Sequence, residues 1–262
     1  MNKTVDDVVQ KMLAFGEKLV GIGRGQWKSD FEAGHWCKDA GPLWAHDGIL
    51  GDDDIPRLRQ EGMVCVGLLS VLLRHVGQRL PFLNPENFPE YAKYDKWKDP
   101  RKDSTWHSPH NEGIQFGYGG ADEWMFIYHY KKKTLKPFDK DGKYPAGTLL
   151  FRVYSPYDGG HVAILRESSE KKPLMKCTVL HTGGDSLGEN KVTTHETVRR
   201  QHEMYSRGKK FFWDPQGEFT VSFGDTPYYT HVLLPKHYLD VIDEGSRKII
   251  DANGGRHKML KF

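Results

Sequence analysis

Between Val64 and Val76 the chain reads Val-Cys-Val-Gly-Leu-Leu-Ser-Val-Leu-Leu-Arg-His-Val, apolar nearly all the way round a helical wheel, and it stops at Gly77. A helix with no polar stripe must be enclosed on every side. This segment therefore predicts a central helix and obliges the rest of the chain to supply the layers around it. One such layer is the segment from about Val5 to Val20. There Val5, Val8, Val9, Met12, Phe15 and Leu19 recur at helical spacing, and Thr4 with Asp7 three residues on forms a capping-box pattern. Asp54-Ile55-Pro56 is a helix-start signal for a short helix over Ile55 to Gln60, which Gly62 ends. From Gly21 to Asp54 no period persists, and the stretch reads as a long loop.

The period changes from Thr148 onward. Thr148 to Tyr154, His161 to Glu167, Lys176 to His181, Glu218 to Phe223 and Tyr229 to Leu234 are short and β-prone, with Gly, Pro or Asp turns between them. Thr193 to Tyr205 and Val241 to Asp251 read as helices. Helices first and an antiparallel meander afterwards describe an α+β domain. Leu80 to Lys143, rich in Pro, Trp, Tyr and Lys, reads as a surface insertion whose one regular piece lies near Glu123 to Tyr130. With no repeat or Gly/Ser linker visible, residues 1–262 are expected to form one domain with an insertion at about 80–143 and a C-terminal extension at about 185–262.

Charge narrows the function classes. Lys and Arg number 38 against 35 Asp and Glu, a balance of +3 that argues against a chain whose main work is coating nucleic acid. The mean hydropathy of −0.66 and the lack of any run near 18 apolar residues argue against a membrane span. Two acids precede the first apolar stretch, so no secretory signal is expected. Three cysteines, Cys37, Cys65 and Cys177, are odd in number and widely spaced, which is no disulfide framework. A cytoplasmic protein of a reducing compartment is the expectation.

Cys65 stands at the start of the all-apolar helix, where backbone N–H groups and the helix dipole favour a thiolate. His161 opens a strand after Gly159-Gly160, and His181 closes the next one before Gly183-Gly184. The end of one antiparallel strand lies beside the start of its predecessor, so the two imidazoles are expected to be neighbours. A cysteine with two histidines can supply nucleophile, base and orienting group. Taken singly, a cysteine in an apolar helix packs and a histidine at a strand end caps, which is the plainer account of each.

Other clusters carry less. Pro109 breaks the spacing that would present His107, His110 and Glu112 as ligands on one face, so no metal is expected there. His195 and His202, with Glu196 and Glu203 nearby, read as a solvated helix face. Lys131 to Lys143 holds six lysines against two aspartates, most simply a solvated loop. Phe211-Phe212-Trp213 and Tyr228-Tyr229 fit either core or a cleft. Cys37, without a helix start, is the rival nucleophile.

The ordered set Val64-Cys65-Val66-Gly67-Leu68, Pro145-Ala146-Gly147-Thr148-Leu149-Leu150-Phe151, Gly160-His161-Val162-Ala163-Ile164 and Leu180-His181 resembles the NlpC-type cysteine peptidases. These are papain-like amidases that cut bacterial cell-wall peptides. The resemblance covers roughly residues 15–184. Val64 stands where the family has Asp, Val66 where it has Ser, and Thr148 where it has Asp. Gly21-Ile22-Gly23-Arg24-Gly25-Gln26-Trp27 occupies the place of a segment that shapes the family's oxyanion site. The resemblance implies a papain-like fold and a thiol hydrolase acting on an amide of a peptide or peptide-like substrate. It assigns Cys65 as nucleophile, His161 as base and His181 as orienter, with Gln26 and Trp27 as oxyanion candidates by position. It implies side-chain chemistry with no cofactor. A silent binding module, or an acyltransferase on the same scaffold, is the alternative.

Overall fold

A computed structural model describes residues 4–23, 49–63, 65–78, 129, 132–152, 161–184, 190–205, 210–213, 219–222 and 229–239. Helix α1 runs Val5–Lys18. Thr4 and Asp7 close the expected capping box, the Thr4 N–H donating to Asp7 Oδ2 at 2.7 Å and the Asp7 N–H to Thr4 Oγ1 at 3.3 Å. Helix α2 spans Ile55–Glu61, with Pro56 in its first turn and Gly62 at φ 72° just beyond it. Helix α3 spans Cys65–His75, so Cys65 is its first residue. His75 holds the far end of α3: its ring stacks on Phe15 and its Nδ1 lies 2.9 Å from the Leu50 carbonyl oxygen. Helix α4, Val198–Tyr205, starts later than the expected Thr193, because Thr193 belongs to a strand and a short irregular segment separates the two.

Among the described residues eight strands follow in chain order: β1 Lys136–Pro137, β2 Leu149–Arg152, β3 His161–Leu165, β4 Val179–Gly184, β5 Asn190–Thr193, β6 Lys210–Trp213, β7 Phe219–Ser222 and β8 His231–Leu233. Six of them form one antiparallel sheet in the order β1-β8-β2-β3-β4-β5, and β6 pairs with β7. The molecule is therefore α+β. Two boundaries differ from the sequence reading for a tertiary reason. Gly183 and Gly184, expected in a turn, extend β4 because Lys191 and Asn190 pair with them. Lys136 and Pro137, expected inside a surface insertion, add an edge strand to β8, a position where proline costs no ladder bond to a second neighbour.

The sheet is apolar on both faces. Leu149 and Phe151 of β2, Val162 and Ile164 of β3, Leu180 of β4 and Leu233 of β8 join the side chains of α1 and α3 in one core. Their alternate neighbours Leu150, Ala163, Leu165, Val179 and Val232 form a second core with Tyr144, Leu174, Cys177, Val198 and Tyr229. Helix α3 thus lies between α1 and the sheet, packed on β3 and β4, which is the enclosure its composition demanded. Among the described residues no helix is long and apolar enough to cross a membrane.

Candidate functional site

The strand period decides where the histidines go. In β3, Val162 and Ile164 face the helical layer, so His161 shares the other face with Ala163 and Leu165. In β4, Leu180 faces the helices, and His181 shares the other face with Val179. The ladder sets Ile164 opposite Leu180. His161 and His181 are therefore diagonal neighbours on one face, within reach of ring contact. Their ring centroids lie 5.3 Å apart at an interplanar angle of 87°, edge to face. The expected adjacency of the two rings is thus present.

Both rings are sealed from water, with His161 8% exposed and His181 1%. Burial holds the His161 imidazole well below its ordinary range, and His181 and Arg152 beside it push the same way. Arg152 faces His161 directly across the β2–β3 ladder. Two further residues complete the group. Gln201, from α4, places its Nε2 2.7 Å from His181 Nε2. Tyr229, immediately before β8, donates its hydroxyl to Gln201 Oε1. The sequence offers Tyr229 only as a core or cleft ring and does not point to Gln201. Gln201 sits mid-helix among polar residues and Tyr229 in a Tyr-Tyr pair, and nothing in their spacing connects either to His181.

Cys65 is half-buried at the start of α3 and packs against the core that α1, α3 and the sheet share. The structure brings His161 and His181 together on the face of the sheet that carries Ala163, Leu165 and Val179. Cys65 keeps the feature that singled it out, a helix N-terminus with no acidic residue in the first turn to oppose a thiolate.

Cys177 is a different kind of cysteine. It is fully buried in the second core, its Sγ 3.6 Å from the Pro173 carbonyl oxygen, and burial pushes its thiol up. A thiol so placed packs rather than reacts. Glu196, read as part of a solvated helix face, is instead buried in the turn before α4, while His195 is exposed. Gln26, Trp27, Cys37, His107, His110 and Glu112 lie outside the described residues, as does the expected helix over Val241 to Asp251. Among the described residues no three His, Cys, Asp or Glu side chains cluster closely enough to hold a metal ion. No protein-family model, no curated protein and no solved structure matches the chain.

Proposed function

We propose that the chain is a papain-like thiol hydrolase of the NlpC type, working in the cytoplasm and cleaving an amide bond in a peptide or peptide-like substrate. The observation that carries the reading is the His161–His181 pair, two buried rings in edge-to-face contact, in a chain whose other motifs keep the family's order. Cys65 at the first residue of α3 adds a helix N-terminus that favours a thiolate.

In this mechanism His161 takes the proton of the Cys65 thiol, and the thiolate sulfur bonds to the substrate carbonyl carbon. The carbonyl electron pair moves to oxygen, where the backbone N–H of Cys65 stabilises it. The tetrahedral adduct then collapses, the C–N bond breaks, and the imidazolium returns its proton to the leaving amine. Water, deprotonated by His161, cleaves the acyl-enzyme thioester and restores the thiol. His181 orients the His161 ring throughout. Gln26 and Trp27 are the candidates for completing the oxyanion site. The reading makes a geometric demand: His161 leaves the face opposite α3, so sulfur and imidazole must meet around the open end of β3, where His161 is the first residue.

A second reading is a catalytically silent binding module. It is favoured by the burial of both histidine rings on the α4 side of the sheet. The two readings separate on thiol reactivity. The purified protein would be treated with limiting iodoacetamide near neutral pH and the modified cysteine mapped by mass spectrometry, in wild type and in His161→Asn. The hydrolase reading expects Cys65 to label first, and its rate to drop roughly tenfold or more in the variant as the thiolate is lost. Equal, slow labelling of Cys65 in both, or labelling of Cys37 alone, sinks the triad and leaves the binding module.

A further inference from the structure

We propose that Thr182 is a further residue of the thiol site, a buried hydroxyl that donates a hydrogen bond to the Cys65 sulfur once the thiol has ionised. Thr182 is 3% exposed. Its Oγ1 is sealed from water and has no hydrogen-bond partner among the described residues. An unpaired hydroxyl in such a place costs stability, so the group has a use outside the resting fold.

The strand period gives its face. Leu180, two residues earlier in β4, and Val192, its partner across the β4–β5 ladder, both belong to the core that α1 and α3 share with the sheet. Residues two apart along a strand share a face, as do residues directly opposite in a ladder. Thr182 therefore faces the helices. Two sets of contacts fix its place along α3. Leu72 and Leu180 both reach the surface of Gly16. Nearer the start of α3, the Met63 N–H donates to the Gly23 carbonyl at 3.1 Å, Gly23 bridges to Lys191, and Lys191 pairs with Gly183. From Leu180 to Gly183 the strand thus runs along α3 from Leu72 back to Met63, and Thr182 falls at the Cys65 end. Cys65 precedes Leu72 by seven residues, two turns less about 20°, so the two lie on one side of the helix. Thiol and hydroxyl are turned into the same layer at the first turn of α3, where Cys65 packs on the core that holds Leu180 and Val192.

The role rests on the thiol-hydrolase reading. A neutral thiol is a weak acceptor, whereas a thiolate is charged and takes a stronger hydrogen bond. A donor already desolvated and held in place costs no reorganisation when that charge appears. Thr182 thus adds to what the helix N-terminus supplies, and the Cys65 thiol ionises at lower pH than the helix alone would allow. The proton still passes to His161. The hydroxyl keeps its own hydrogen and only shares it with sulfur.

The test is the pH dependence of Cys65 alkylation by iodoacetamide in the full chain, followed by mass spectrometry across the range in which a cysteine titrates. Thr182→Val keeps the shape of the side chain and removes the hydroxyl. It should move the profile to higher pH and slow labelling on the acid limb roughly tenfold, the loss of one charge-assisted hydrogen bond. Thr182→Ser should keep the wild-type profile. Should Thr182→Val not fold, Thr182→Ala removes the same group. A profile that loss of the hydroxyl leaves unchanged overturns the proposal, and so does a wild-type Cys65 that no pH in that range makes reactive. His161→Asn separates this inference from the reading it rests on. Slower labelling in His161→Asn but not in Thr182→Val sinks the role of Thr182 and keeps the hydrolase. A shifted profile in Thr182→Val with none in His161→Asn sinks the triad and leaves Thr182 as the group that stabilises the thiolate.

Discussion

At Gly147 the backbone stands at φ 81°, a conformation that L side chains rarely adopt, and the space a side chain would need is already taken. A Cβ placed there would lie 2.8 Å from both methyl carbons of Val9 in α1, closer than carbon atoms approach. The Gly147 carbonyl also accepts the Tyr238 hydroxyl, so the turn into β2 is held from two sides. Gly147→Ala is expected to destabilise the protein by about 2–3 kcal/mol, from left-handed strain and overpacking together. Its denaturant midpoint would show this as a fall with unchanged slope. The glycine itself was visible in the sequence within Pro145-Ala146-Gly147, but its neighbour was not. Val9 lies 138 residues away, and only the fold brings it to Gly147.

Among the elements, α3 is the one on which the others depend. Leu68, Leu69, Val71, Leu72 and Leu73 are all essentially without solvent exposure, between α1 on one side and the sheet on the other. Leu72 and Leu180 of β4 both reach the small surface of Gly16, where α1, α3 and the sheet come together. Leu72→Ala is expected to cost about 2–5 kcal/mol, the range for a truncation that leaves a cavity between rigid neighbours. The check is again the denaturation midpoint, with Arg57→Ala on the exposed side of α2 as a control that moves it by less than about 0.5 kcal/mol. Elements of this kind were legible beforehand. The α1 stripe and its capping box, the unbroken apolar surface of α3 and the short β-prone runs of β2, β3 and β8 between turns are all local patterns. Boundaries set by a partner strand were not: β4 runs on through two glycines because β5 pairs with them, and α4 begins late because Thr193 is taken into β5.

Acid stability belongs to the whole molecule, because it sums over buried and half-buried histidines in different parts of the chain. Burial, with His237 nearby, pushes the His129 imidazole down to about 4, and burial alone does the same to His231. His161 is lowered in the same direction. The unfolded chain, with ordinary histidines near 6.5, therefore binds these protons before the folded one does. Stability should be complete above about pH 6.5 and fall as the pH drops toward 4, by roughly 3 kcal/mol for each of His129 and His231 at the acid limit. The thermal midpoint measured from pH 8 to pH 4 checks this, and His231→Gln should flatten the acid limb. A midpoint unchanged between pH 6.5 and pH 4.5 would contradict it. By itself the sequence determined what depends on near neighbours along the chain: helix faces, caps, the places of the short strands and the adjacency of His161 and His181 across a single strand connection. Tertiary structure alone decided which face of the sheet α3 would cover, and so on which side Cys65 and the two histidines would lie. It also decided that Gln201 and Tyr229, from α4 and the approach to β8, would close around His181. The physical reason is that a period of two separates the faces of a strand but does not say which face a distant helix will bury. That choice follows from fitting whole apolar surfaces together, and no local pattern records it.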